Sequence, residues 1–282
     1  MIGGHLVRRL IDDGHDVVAV DLKRREDWWQ WHPDALNLQR HDMAQITDAS
    51  TAVVGCAEVY DLACPMGGIG WISRELYSCF SALQIQLSTV RACIEWGVGR
   101  YFYASSACAY PTSLQQGELV ALKESDAWPA LPERGYGEAK LAAERLAEYA
   151  SLDRDLSTRV ARYHNVMGVP GSWNDGKEKA PAAICRKVAE AARSGDHRIS
   201  VWGDGTQLRS YLDVRDCVSG TLCVMRGDWS GPLNVGSDVA ITVNQLIDLA
   251  EQAAGITVRR VYDLSQPQGV HARNADLTLV QR

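Results

Sequence analysis

Tyr136 and Lys140 stand four residues apart in YGEAK, at the start of a segment rich in Ala, Leu, Glu and Lys. That spacing puts both on one face of a helix. A fixed ammonium close to a phenol favours the phenolate, bringing a group that ordinarily titrates near ~10 toward the range where it takes a proton from a hydroxyl. Upstream, YFYASSACAYP runs from an aromatic, apolar stretch into small polar residues, as a buried parallel strand does when it reaches the ligand edge of a sheet. Ser105, Ser106 and Cys108 then lie at the carboxyl end of that strand, where open α/β sheets bind their ligands. Ser106 is placed to hold the hydroxyl on which Tyr136 acts. Taken alone, a YxxxK pattern reads first as a surface Tyr and Lys on an amphipathic helix; its distance downstream of the SSAC strand end is what points to proton transfer.

Such residues need a scaffold, and the chain supplies alternating strand and helix signals. IGGHLVRRLIDDGHDVVAVDL reads as the end of a glycine turn, an amphipathic helix closed at Gly14, and a strand ending in Asp21. In a Rossmann fingerprint Gly3 is the third glycine, the one that lets the helix approach the sheet. The expectation is therefore a chain lacking the first strand and the first two glycines, either a fragment or a misplaced start. Asp21 lies at the offset where a carboxylate meets the adenosine ribose hydroxyls, which favours NAD over its 2′-phosphorylated form; a solvated turn is the alternative. Asp42, in HDM, is a second candidate, toward the adenine edge. AEVYDLA reads as the next strand, followed by Gly67, Gly68 and Gly70, a loop suited either to backbone approach to a ligand or to no more than a turn. A helical segment from about Ser73 to Trp96 leads back to the central strand. This alternation predicts a Rossmann-like, doubly wound parallel sheet.

After Tyr149 come a strand finishing at Asn165, a glycine-rich loop with Lys177, Glu178 and Lys179, a helix opening near Pro181 that holds Arg186 and Lys187, and two short strands around Gly-Asp-Gly. A charge run before a helix is ordinarily a solvated face. Residues 1–165 are expected to form the cofactor domain and 166–282 a smaller α/β substrate domain, with about 213–235 returning to the Rossmann sheet.

The net charge of -6 argues against a general nucleic-acid binder, while leaving room for a nucleotide held by a local cluster of cations. Apolar residues make up 46% and no apolar run approaches the ~20 needed to span a bilayer, so a cytoplasmic protein is expected. The eight cysteines contain no CxxC pair or metal-ligand spacing and read as buried free thiols, Cys108 being set apart by its position. Trp28, Trp29 and Trp31 suggest either carbohydrate stacking or a loop packed on its own domain.

Taken together, YASSACAYP, LKESDAWPA, YGEAK, ARYHNVMG, GKEKAPAAICRKV, WGDGTQLRSYLDV, LNVGS and the late ARNAD resemble the extended short-chain dehydrogenase/reductase superfamily and, within it, the GDP-mannose 3,5-epimerase family. The Tyr-Lys pair and glycine turns belong to the whole superfamily; the cysteine after SSA and the EKAPAA loop are more specific. Related dehydratases carry an acidic residue just after the central-strand hydroxyl, whereas this chain has Ala107 and Cys108, which shifts the reading from elimination to epimerisation. The resemblance implies bound NAD (with Gly3, Asp21, Asp42, Ala63, Tyr136 and Lys140 as its contacts), a GDP-hexose substrate and a homodimer. It implies that Tyr136, with Ser106 and Lys140, manages the proton of the 4-hydroxyl, and that Cys108, as a thiolate favoured by nearby positive charge, removes protons at C5 and then C3. Lys179 would deliver protons from the opposite ring face, with Glu178 beside it tuning its pKa. It carries substrate contacts onto Gly67, Asn165, Glu178, Lys187, Arg209 and Arg273, and less directly Asp276. Ser81 and Ala82 depart from the family's asparagines. The alternatives are a 4-epimerase or dehydratase of another nucleotide sugar, or a truncated, non-catalytic homologue.

Overall fold

A computed structural model describes residues 1–28, 30 and 37–282, without the side chains of 37 and 38; Trp29 and Trp31 of the tryptophan cluster lie outside the described residues. The chain opens with helix α1 (Ile2–Asp12), ended by Gly14 at φ +85°, a left-handed conformation that glycine adopts without steric cost. Strand β1 (Val18–Asp21) follows and pairs in parallel with β2 (Asn37–Arg40). Next come α2 (Ile46–Val53), β3 (Glu58–Asp61), the short helices α3 (Ile69–Ile72) and α4 (Leu76–Ser81), α5 (Leu83–Glu95) and the central strand β4 (Arg100–Ser106). The helical segment expected from Ser73 to Trp96 is thus divided at Ala82.

A short strand β5 (Ala121–Leu122) precedes α6 (Tyr136–Asp153), after which β6 (Ser157–Tyr163) returns to the sheet and β7 (Val166–Met167) leaves it. Parallel ladders join the strands in the order β11-β6-β4-β3, β11 being Pro232–Val235. Helices cover both faces. Alternate residues of β4 explain why: Tyr101 and Tyr103 pack with Ala143, Ala147 and Ala150 of α6 and Val90 and Cys93 of α5. Phe102 and Ala104 point the other way, into a cluster with Cys217, Val224 and Met225. Each buried side chain of that size contributes about 1.5–3 kcal/mol, so a strand apolar on both faces is fixed in the middle of the molecule. The doubly wound expectation holds with one difference: β1 and β2 form their own ladder, not hydrogen-bonded to the four-stranded sheet. Helix α1, which precedes β1, packs its Leu6, Ile2 and Leu10 on Tyr60, Leu62, Val218 and Leu222.

The rest of the chain builds α7 (Ala180–Ser194), β8 (Arg198–Trp202), β9 (Leu208–Ser210), β10 (Leu212–Asp213), α8 (Val214–Arg226), β12 (Ala240–Thr242), α9 (Val243–Ala254), β13 (Arg259–Asp263) and β14 (Ala272–Ala275). Helices α7 and α9 share a core with β8 through Ile184, Val188, Ile199, Val201, Leu246 and Ile247. The strands flanking Gly203-Asp204-Gly205 do not pair with each other: β8 pairs with β13, and β9 with β12 and β14. Strand β14 also pairs with β5, so its Arg273 is carried to the carboxyl end of β4.

Candidate active site

Strand β4 ends at Ser106, whose hydroxyl accepts the Cys108 backbone N–H at 3.2 Å and starts a single tight turn, Ala107–Ala109. Helix α6 begins directly against that turn. Gly135, at φ +69°, caps the helix, with its N–H held by the Glu138 carboxylate at 2.8 Å. A Cβ on Gly137 would lie 2.2 Å from the Cys108 carbonyl oxygen, so only glycine lets α6 come this close. Tyr136 is therefore the first helical residue and packs against Cys108 and Cys79. Ser106 pulls the phenol pKa down, but burial dominates and holds it well above its ordinary value. The expectation that Lys140 makes Tyr136 acidic needs correction on this point. The Lys140 ammonium sits 5.6 Å from the Tyr136 ring centroid and donates to the Ala104 carbonyl at 2.7 Å.

Asp61, which the sequence reading passed over, closes this side of the site. It is buried at the end of β3, accepts the Tyr101 hydroxyl at 2.8 Å and the Ala63 N–H at 3.1 Å, and interacts with Lys140. Asp21 is exposed at the end of β1, one oxygen taking the Lys23 N–H at 3.1 Å. Gly3 lies in the first turn of α1, where a Cβ would meet Leu62 at 3.6 Å. Asp42 is used locally instead: its carboxylate accepts the Ala44 N–H at 3.0 Å and its own N–H goes to Asp48 at 2.8 Å. The arrangement fits a dinucleotide, because a carboxylate suited to a ribose diol ends β1 and the phenol-ammonium pair, in the first turns of α6, lies against the carboxyl end of β4. Asp21, Ala63, Tyr136 and Lys140 are the residues that would hold it.

On the opposite side, Arg273 of β14 reaches the Cys108 sulfur, Nη1 to Sγ 3.2 Å, while its Nε donates to Gln115 at 2.6 Å. Its Nη2 lies 3.8 Å from Oε2 of Glu133, and neither of these buried atoms has a hydrogen-bond partner. Arg273 lowers the thiol pKa, but burial raises it more, and Glu133 adds to the rise, so Cys108 is pushed up to about 11. Nearby positive charge was expected to favour the thiolate; burial outweighs it and favours the thiol. Lys179, the residue preceding α7, interacts electrostatically with both Cys108 and Arg273, and burial lowers its pKa.

Several expected substrate residues are engaged elsewhere. Glu178 does not face Lys179: it pairs with Arg186 at 3.1 Å and accepts the Gly176 N–H at 2.8 Å. Lys187 lies two helical turns beyond Lys179, about 12 Å along the axis, and donates to the Ser200 carbonyl at 2.7 Å. Arg209 is opposite Arg273 in the β9–β14 register, with its guanidinium given to the carbonyls of Leu208, Val270 and His271. Burial and Arg273 bring its pKa down to about 10. Asn165 takes a positive φ of 40° and donates to the Ser210 carbonyl at 2.9 Å. Asp276 caps a local turn through Thr278 at 2.8 Å. Gly67 and Gly68 serve the Lys179 loop: Gly68 N–H donates to Lys177 at 2.9 Å, and a Cβ there would lie 2.5 Å from the Glu178 oxygen. A Cβ on Gly67 would press on Trp71 at 2.9 Å and Lys177 at 3.2 Å. The residues that sequence reasoning missed, Glu133, Gln115 and Asp61, carried no motif; Glu133 could have been suspected only from its place just before the Tyr136 helix.

The fold matches UDP-glucose 4-epimerase from Thermotoga maritima with a TM-score of 0.84 at 22% identity, covering 100% of this chain and 88% of that one. The Thermus thermophilus UDP-glucose 4-epimerase in complex with NAD matches at 0.85 and 19%, covering 100% and 89%. In sequence, the chain is 37% identical to GDP-mannose 3,5-epimerase 1 of Oryza sativa subsp. japonica, over 99% of this chain and 73% of the relative. It is 36% identical to GDP-mannose 3,5-epimerase of Arabidopsis thaliana over the same shares. The model of the NAD dependent epimerase/dehydratase family matches residues 1–236, and the chain belongs to that family.

Proposed function

We propose that this protein epimerises GDP-mannose at C3 and C5 of the hexose, through a 4-keto sugar, toward the L-galacto or L-gulo form. One observation carries the reading: the middle residue of the turn that Ser106 starts is a thiol, Cys108, gripped by Arg273 and coupled to the Lys179 ammonium. Relatives at 36–37% identity over 99% of the chain bear the name of that reaction. NAD, when bound, supplies the hydride acceptor and donor for C4. Tyr136 takes and returns the proton of the 4-hydroxyl, with Ser106 fixing that hydroxyl and Lys140 held in place by Ala104.

A ketone at C4 acidifies the hydrogens on both neighbours. Cys108 removes the proton at C5 and then at C3 from one ring face, and Lys179 delivers one from the other. The environment suits both tasks. Burial that raises the thiol pKa makes its thiolate a stronger base, and burial that lowers the Lys179 pKa makes its ammonium a readier acid. Arg209 and Lys187 are the cations we assign to the diphosphate, each requiring release of its present carbonyl contacts; Gly67 and Asn165 border the sugar, and Glu178 orders the Lys179 loop. We read residues 1–165 as the cofactor half and 166–282 as the substrate half, with about 213–235 back in the central sheet. A homodimer through α5 and α6 accords with the exposed Leu87, Tyr149 and Leu152. A cytoplasmic site accords with eight unpaired cysteines. Incubation with GDP-mannose and NMR assignment of the hexose tests the reading: inversion at C5, or at C3 and C5, is expected, and inversion confined to C4 would overturn it.

A further inference from the structure

Each epimerisation sets the same demand on the sulfur. Cys108 is a thiol before the C5 step and a thiol again after it, and must lose a proton before it can act at C5 and once more before it acts at C3. Cys108 is 7% exposed, and burial has pushed its pKa up to about 11, so direct loss to water is slow. The groups that face it are Arg273 from β14, Glu133 from the loop before α6, Tyr136 from α6, Cys79 from α4, Lys179 ahead of α7 and, farther off, Arg209 from β9. Only Glu133 among them is a carboxylate. Its Oε2 is buried without a hydrogen-bond partner, 3.8 Å from the equally unpartnered Arg273 Nη2, an arrangement costly to keep for stability alone. Its side chain is 17% exposed against 8% for Arg273, the more accessible of the two. Glu133 is also fixed in place: its N–H donates to the Cys108 carbonyl at 3.3 Å, and its own carbonyl accepts from Glu138 at 3.0 Å.

We propose that Glu133 is the proton outlet of Cys108, accepting the thiol proton ahead of each epimerisation and passing it to water. The inference rests on the epimerase reading above. In the first step the S–H bond breaks with its electron pair left on sulfur, and an O–H bond forms on Glu133. The sulfur then takes the carbon-bound proton, the C–H pair moving into the enolate of the 4-ketone. Lys179 gives a proton to the other face of that carbon and regains one from solvent, while Glu133 releases its own to solvent. Protons therefore balance over each inversion. Glu133 acts through Cys108 and is a positioning residue rather than a catalytic one. Arg273 steadies the sulfur and the carboxylate in both charge states.

The test is Glu133→Gln in the full chain, read in two ways. Iodoacetamide labelling of Cys108, followed by peptide mass spectrometry across pH, should show the thiol titrating at lower pH, because the opposing carboxylate charge is gone. Deuterium entry at C3 from deuterated water should fall by about a hundredfold, the lower end of what a positioned proton-transfer group contributes. Glu133→Asp, which keeps the charge but retracts it by one methylene, should leave the labelling profile near that of the parent and still slow C3; it also serves if the glutamine variant fails to fold. A Glu133→Gln labelling profile that superimposes on the parent, or C3 exchange at the parental rate in either variant, would overturn the relay. Absence of exchange in the parent itself would remove the underlying reading and the relay with it, a result distinct from failure of the relay alone.

Discussion

Replacing Arg273 by Met removes the one cation among the described residues in hydrogen-bond contact with the Cys108 sulfur while keeping an unbranched side chain. Unit charges at the observed 3.2 Å interact by about 5 kcal/mol at an effective dielectric near ~20, close to four pKa units at about 1.36 kcal/mol each. Access of water and relaxation of neighbours reduce that figure, and half of it is a reasonable floor. With the parent thiol at about 11, roughly one sulfur in a thousand is thiolate at pH ~8, so Arg273→Met lowers that fraction by at least about a hundredfold. Labelling with iodoacetamide at fixed pH reads the thiolate directly, because the thiol form is inert. The exposed Cys185 and Cys223 provide internal standards in the same digest. Labelling of Cys108 within about twofold of the parent, with Cys185 and Cys223 unchanged, would show that Arg273 does not govern the sulfur.

His164 is wholly buried, with Nε2 on the Asn234 side-chain oxygen at 2.9 Å, and burial brings its pKa down from 6.5 to about 4. The folded state favours the neutral ring, so this contribution is full above pH 6.5 and is lost as pH falls through that window toward 4, about 3 kcal/mol in all. The unfolding free energies of the parent and of His164→Gln, measured in urea across this range, should diverge by that amount between pH 6.5 and 4; parallel curves would contradict it. Gly68→Ala places a Cβ 2.5 Å from the Glu178 oxygen and should cost about 1–3 kcal/mol while displacing the loop that carries Lys179. Epimerase activity should fall further than the loss of melting temperature explains, and parental activity at a parental melting temperature would refute the close packing.

The parts of the molecule that could be read from sequence are those with a repeating physical signal. Strand β4 announced itself by an apolar run ending in serines, and α6 by its alanines and the Tyr136–Lys140 spacing; both stand where expected. Strand β14 was not legible, because its four buried residues are Ala, Arg, Asn and Ala, with no apolar alternation to mark them. Its Arg273 had been assigned to the substrate on resemblance, yet it lies on Cys108. Distance in the chain hid the rest of that cluster, since Glu133 and Gln115 meet Arg273 only after β5 and β14 pair. The protonation states of Tyr136 and Cys108 depend on burial, which spacing does not report; the nearby cations were anticipated, but the desolvation that outweighs them was not. Glu178 was misplaced for a related reason, as Arg186 eight residues on reaches back across two turns of α7 to bind it.

The most direct trial of the central claim follows label from deuterated water into GDP-mannose with the parent, Cys108→Ala and Lys179→Ala. The account predicts deuterium at C5 and C3 for the parent, none for Cys108→Ala despite retained nucleotide-sugar binding, and for Lys179→Ala deuterium entering only with retention of configuration and no inverted hexose. Exchange at the parental rate without the sulfur, or a hexose altered at C4 with no deuterium at either neighbour, would contradict it.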